Sequence, residues 1–329
     1  MSALWIIGIC FLAGMFLRRA DLMPEEGAKV LGTYIIYVAL PALVLLHVHD
    51  LSFDSSLLFA ALMPHGVFAV SFIVFRLLGT WLAWDKRTIV CLTLTAGLGN
   101  TSFVGIPMIQ AFFGQAHVGT GILIDQAGSF LCLSTSGILY LIFESSRSGD
   151  SGFSSDSGQT AQKNRLQSVL TRIITFPPFI ALIVALVLRW LDYNHIMREV
   201  LTSIGSTLTP VAMVAVGFQI RFTFISGRLK HLTWGLIFRL LLSPALVAIL
   251  ALAVNGGLLH NGLVLEGPIL GTLPAAFQVT IFEAAMPPMI TAGILCIEYD
   301  MDPDLAGLML GLGIPISFIT LPLMHSLFI

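Results

Sequence analysis

The chain has 329 residues, 57% of them hydrophobic and 10% charged, with a formal net charge of −2. A soluble domain carries about 25% charged residues, so this composition and the mean hydropathy of +0.93 exclude a water-soluble globular protein. No basic run with interleaved aromatics points to nucleic acid.

Apolar runs near the length that spans a bilayer, about 20 residues, are predicted near 3–18, 30–48, 57–82, 88–113, 119–143, 172–191, 201–221, 232–254, 267–297 and 305–327. The first ends at Arg18-Arg19. A cleaved signal peptide has its positive charges first, so this run reads as a retained helix. The fourth run contains Gly97-Leu98-Gly99-Asn100-Thr101-Ser102-Phe103-Val104-Gly105-Ile106-Pro107. Three glycines, a proline and an amide do not suit a lipid-facing helix, because bare backbone in hydrocarbon costs several kcal/mol per group. The fifth run carries Asp125-Gln126. The sixth opens with Pro177-Pro178, where the first helical turn tolerates proline. The ninth is interrupted at Glu283-Ala284-Ala285-Met286-Pro287-Pro288. The following Glu298-Tyr299-Asp300-Met301-Asp302-Pro303-Asp304 lacks the spacing of a calcium loop and reads as a solvated turn.

Ten spans put both termini on one side, and lysine and arginine decide which. With the termini outside, the inner loops hold twelve: Arg18, Arg19, Lys29, Lys86, Arg87, Arg147, Lys163, Arg165, Arg172, Arg221, Arg228 and Lys230. The outer loops hold two, Arg189 and Arg198. Arg76 and Arg239 lie within spans, near their inner ends, and read as snorkelling side chains, with a headgroup or gating contact as the alternative.

Residues 145–171 are rich in serine and glycine and read as a flexible cytoplasmic linker. They divide the chain into 1–144 and 172–329, five spans each. An odd number of spans inverts the second half against the first, as in inverted-repeat transporters. Ala39-Leu40-Pro41-Ala42 in span two resembles Leu208-Thr209-Pro210-Val211 in span seven. By the same count, spans four and nine correspond, and these are the two broken ones. Paired interruptions of this kind point to a substrate site where they meet.

Asn100 offers two donors and one acceptor without charge. In a broken helix it is suited to grip a carboxylate beside freed N–H groups, with a half-helix starting near Ile106-Pro107 adding a positive pole. The plainer reading is a helix cap. Glu283, a carboxylate at membrane depth, suggests function by default, as a proton or sodium site or as a tie for backbone N–H groups. Asp125 is either a relay facing the core or a hydrated group near the outer end. Pro287-Pro288 removes two donors and frees carbonyls. His65 reads as a packed histidine. Cys10, Cys91, Cys132 and Cys296 form no CxxC pair and read as buried small hydrophobes.

The run Asn100-Thr101-Ser102-Phe103-Val104-Gly105-Ile106-Pro107-Met108 resembles the fourth-helix signature of the auxin efflux carrier (AEC) family. Glu283-Ala284-Ala285-Met286-Pro287 followed by Glu298-Tyr299 resembles the ninth-helix signature, and Leu17-Arg18-Arg19 and Val38-Ala39-Leu40-Pro41 fit the family's opening. The resemblance covers nearly the whole chain. It implies an all-α integral membrane fold of ten helices in two inverted repeats, similar to NhaA and the bile-acid symporters. Helices four and nine would cross at prolines matching Pro107 and Pro287, with Asn100 at a substrate carboxylate. Gly99 stands where plant members commonly have proline, and Glu283 where they tend to have glutamine.

Together these readings predict a secondary transporter of a small organic carboxylate in the plasma (inner) membrane, working by elevator-type alternating access. Substrate contacts are expected from Asn100, Thr101, Ser102, Gly105, Pro107, Pro287 and Pro288, and ion or proton coupling from Glu283, Asp125 and Gln126. No cofactor or metal is expected beyond a coupling Na+ or H+. The partners expected are the substrate and the bilayer, with a homodimer left open. A sodium- or proton-coupled carrier of another substrate on the same fold is the alternative. No ATP-binding GxxxxGK[ST] motif appears, nor a nucleophile elbow or catalytic acid pair, so an enzyme is not expected.

Overall fold

The computed structural model describes residues 2–51, 55–147, 171, 174–220, 226–255 and 269–329. The expected linker lies almost wholly outside the described residues, as do Lys163, Arg165, Arg172 and Arg221. Among the described residues every regular element is helical: α1 (Ser2–Arg19), α2 (Gly27–His49), α3 (Ser55–Trp81), α4 (Lys86–Gly97), α5 (Thr101–Phe112), α6 (Gln115–Ser145), α7 (Pro177–Trp190), α8 (His195–Gln219), α9 (Leu229–Val254), α10 (Ala275–Ala284), α11 (Ile290–Glu298) and α12 (Pro303–His325). Six of these, α2, α3, α6, α8, α9 and α12, are long and apolar enough to cross a membrane.

Local chemistry sets the ends. Pro177 and Pro178 occupy the first turn of α7, as the sequence suggests. Asn194 caps α8 by accepting from the Met197 N–H at 2.8 Å. Asp302 takes a left-handed conformation (φ 52°) to cap α12. It is not a solvated turn residue: its buried carboxylate also accepts from the Thr88 hydroxyl at 2.6 Å and pairs with Arg228 at 3.2 Å.

Packing gathers the helices into two groups. In one, α1 lies along α8, and α2 contacts α7 and α8. Gly14 and Gly217 make the α1–α8 approach close, since a Cβ on either would strike the other helix's backbone. In the other, α3 packs on α4, α6 and α10, α9 on α10 and α12, and α11 on α4 and α12. The two groups touch where α5 meets α8, with Thr209 donating to the Gln110 side-chain oxygen, and where α2 meets α6.

Widened, π-type turns interrupt α2 at Ile35–Ala39, α5 at Thr101–Gly105, α6 at Ile124–Phe130 and Leu133–Gly137, and α9 at Phe238–Leu242. Such turns misalign the helix ladder and are frequent at functional sites. Three of the five carry the polar residues described next.

Candidate functional site

The two interruptions meet. Leu98 to Asn100 separates α4 from α5, and Ala285 to Met289 separates α10 from α11. The two extended stretches pair as a short antiparallel bridge between Gly99 and Pro288. The Asn100 N–H donates to the Pro287 carbonyl at 2.8 Å, and the Met289 N–H to the Leu98 carbonyl at 3.0 Å. Backbone that would be bare in lipid is thus satisfied by the opposite break.

Two details differ from the expectation. The half-helix after the first break starts at Thr101, not near Ile106-Pro107, because Asn100 ends the extended stretch and caps the helix. Pro107 is therefore buried inside α5, and Gly99 rather than Pro107 faces Pro288 at the crossing.

Four helix ends converge here. The carboxyl ends of α4 and α10 present unpaired carbonyls, and the amino ends of α5 and α11 present unpaired N–H groups. Arg239 meets the carbonyls. It is 2% exposed. Its Nε donates to Met286 O at 2.8 Å and its Nη2 to Ala284 O at 2.5 Å. Longer contacts reach Glu283 O at 3.4 Å from Nη2, and Ala96 O at 3.4 Å and Gly97 O at 3.5 Å from Nη1. One cation thereby caps both half-helices at their negative poles. This corrects the snorkelling reading: α9 begins at Leu229, so Arg239 lies ten residues, about 15 Å, along it rather than near its end. Arg76, by contrast, lies near the end of α3, half-exposed, and pairs with buried Glu144 at 3.0 Å.

Asp125 answers at the positive pole of α5. It is buried, so it is not a hydrated group near the outer end. Its Oδ1 accepts from Thr101 Oγ1 and Ser102 Oγ, each at 2.5 Å, and its Oδ2 from Gln126 Nε2 at 2.6 Å. Thr101, Ser102, Asp125 and Gln126, singled out separately in the sequence, form one network. The amino end of α11 has no acidic residue in its first turn and no side-chain cap.

Asn100 plays one of the two roles that the sequence offered, the cap, and keeps a free donor besides. Its Oδ1 accepts from the Phe103 N–H at 3.2 Å as a cap. Its Nδ2, fully buried, has no partner among the described residues. The same holds for Gln126 Oε1, Ser129 Oγ and both carboxylate oxygens of Glu283. Glu283, in the last turn of α10, reaches across to Gly105, where a side chain would collide with its carboxyl, and lies in ordinary contact with the space beside Gly121. A cavity of about 10 Å³, room for one water-sized occupant, is lined by Gly97, Gly99, Thr101, Ser129, Arg239 and Glu283 among others. No group of three or more His, Cys, Asp or Glu with metal-binding geometry occurs among the described residues.

His65 packs as expected, against the Ala127 carbonyl at 3.1 Å. The sequence reading missed Arg239 as a site residue and Ser129 altogether. An arginine ten residues after Leu229 was the available signal for the first.

A family model described as membrane transport protein matches residues 1–325. The chain belongs to this family, the auxin efflux carriers. An uncharacterized transporter of Methanothermobacter thermautotrophicus is 26% identical over 318 residues, covering 96% of this chain and 94% of that protein. An uncharacterized transporter of Methanocaldococcus jannaschii is 27% identical over 297 residues, covering 86% and 89%. The protein is a multi-pass membrane transporter, not an enzyme.

Proposed function

We propose that this AEC-family transporter carries a small organic carboxylate, auxin-like or malonate- and malate-like, bound at the crossing of the two breaks. The observation that carries the reading is Asn100 Nδ2, a buried donor without a partner among the described residues. It lies at the strand pairing that joins α5 to the uncapped amino end of α11. A carboxylate there gains a charge-assisted hydrogen bond and two helix poles. Thr101, Ser102, Gly105, Pro287 and Pro288 shape the same locus. Pro107 acts only indirectly, by holding α5.

Taking α4 with α5 as one broken span and α10 with α11 as another gives ten spans in two inverted halves. The two packed groups suit an elevator, with α1, α2, α7 and α8 as scaffold and the remainder as the moving body. The twelve-to-two bias of basic residues puts both termini outside and 145–171 in the cytoplasm. An ion-coupled carrier of a different substrate is the second reading, and Glu283 is the residue that favours it.

A thermal-shift screen of carboxylic acids on purified protein, with and without sodium, tests the substrate class. Asn100→Ala should weaken the binding of whichever acid stabilises the wild type by about 1.5–3 kcal/mol, roughly 10- to 150-fold. Unchanged affinity in a folded variant would reduce Asn100 to a helix cap. Ser154→Cys should be labelled only from the cytoplasm and His195→Cys only from outside; reversed access would overturn the orientation.

A further inference from the structure

The carboxylate site leaves one buried acid without a task. Asp125 and Glu283 sense one another electrostatically, yet they are furnished in opposite ways. Asp125 has three donors on its two oxygens. Donors of that kind favour the anion. Neither oxygen of Glu283 has a donor among the described residues. Its walls are the bare backbones of Gly105 and Gly121, with the ideal Cβ position of Gly105 only 2.6 Å from Oε2. An ionised carboxylate in such a place loses its hydration with nothing in return, whereas the neutral acid loses far less.

We propose that Glu283 takes up and releases the coupled proton of the transport cycle, while Asp125 stays ionised. The inference rests on the carboxylate-transport reading for its role in the cycle. The charged groups facing Glu283 are Asp125 from α6 and Arg239 from α9. Their charges cancel. The crossing is therefore neutral with Glu283 protonated and carries one negative charge with it ionised. An entering monocarboxylate makes these totals one and two, so the anion enters with the proton in place. The step balances simply: a water-borne proton binds a Glu283 oxygen on one side and returns to water on the other. A monocarboxylate and the proton cross together with no net charge moved, and a dianion such as malonate takes one negative charge across with the proton.

Sodium fits less well. Unwound carbonyls that serve sodium in broken-helix transporters are engaged here by Arg239, at Ala284 and Met286 above all. The cavity beside Glu283 is lined by Arg239 itself, so a second fixed cation would meet a guanidinium. A water-sized occupant of that cavity, touching Thr101 and Ser129, suffices to pass a proton.

Infrared spectroscopy of the full-length protein in liposomes, titrated from acid to alkaline pH, tests this without any substrate. The wild type should show a titrating carboxylic-acid C=O band that is absent in Glu283→Gln, retained in Asp125→Asn, and the same in sodium or potassium chloride. A band that persists in Glu283→Gln, or that sodium removes at fixed pH, would overturn the proposal. Should Glu283→Gln not fold, Glu283→Asp replaces it: a shifted midpoint supports the assignment, and an unshifted one contradicts it. Proteoliposomes with an entrapped pH dye and radiolabelled malonate separate the two claims. Malonate uptake without acidification of the lumen would defeat proton coupling and leave the carboxylate reading intact. A band lost in Glu283→Gln, with none of a panel of carboxylates taken up, would support the proton site and defeat the carboxylate reading.

Discussion

The two breaks meet at one crossing but are built differently. The first, Leu98 to Asn100, is short and opens into a helix whose first residues, Thr101 and Ser102, send hydroxyls to Asp125. The second, Ala285 to Met289, has two prolines and no polar side chain of its own; its carbonyls are gathered by Arg239 from another helix. Beside the first break side-chain hydroxyls donate, while at the second only backbone carbonyls accept. The difference teaches that this crossing uses two separate counter-charges, a cation at both negative poles and an anion at the positive pole of α5. Glu283, which serves neither pole, is then left over for another task.

Removing each counter-charge probes this contrast. Arg239→Leu should have the largest effect, on the order of 3–5 kcal/mol, since several buried carbonyls lose their partner at once. Size-exclusion profiles and thermal melts in detergent should show a poorly folded protein. Arg239→Lys should recover part of the loss, because one ammonium reaches fewer carbonyls than a guanidinium fork. Full stability in Arg239→Leu would mean the half-helix ends are satisfied in another way.

Asp125→Asn should come next, at about 1.5–3 kcal/mol, from the loss of charge-assisted acceptance. A melt identical to the wild type would show that the amino pole of α5 needs no counter-charge. Gly105→Ala should cost about 1–3 kcal/mol by overpacking against Glu283, and Gly105→Ala combined with Glu283→Ala should recover most of it. Gly66→Ala, where an added methyl meets open space, should cost nothing.

A small, pH-dependent effect belongs to a charge pair away from the breaks. Asp50, just past α2, binds Arg198 at 2.8 and 3.2 Å and His49 at 2.7 Å. The Arg198 guanidinium foremost holds the Asp50 carboxyl down at about 2, below its ordinary 3.8. A carboxyl depressed by folding stabilises the protein above its unfolded pKa, and that stabilisation is lost as pH falls from about 4 through about 2. Both side chains are more than a third exposed, so screening limits the contribution to about 0–1 kcal/mol. Asp50→Asn should flatten this acid limb of the melting curve and leave neutral-pH behaviour alone.

Much of this arrangement was legible in the sequence. Glycines, prolines and an amide at membrane depth announced both breaks, and Pro177-Pro178 announced a helix start. Asp125, Gln126, Thr101 and Ser102 were each visible, but their joining is a tertiary fact: α6 places Asp125 beside the start of α5. The point of crossing was less legible. Pro107 looked like the break, yet a proline is at home in the first turns of a helix, and Asn100 had already ended the extended stretch. Arg239 escaped because the start of α9 was placed at residue 232 rather than Leu229, which made a deep arginine look superficial. Asp302 escaped because its partners, Thr88 and Arg228, are far away in sequence.

The central claim is that Asn100 at the crossing binds the transported carboxylate. Uptake of radiolabelled carboxylates into proteoliposomes by the wild type and Asn100→Ala, matched for folding by their melts, tests it most directly. The account predicts saturable uptake of a small carboxylate by the wild type and a loss of at least about tenfold in apparent affinity for Asn100→Ala. Equal affinity in the two proteins would contradict it.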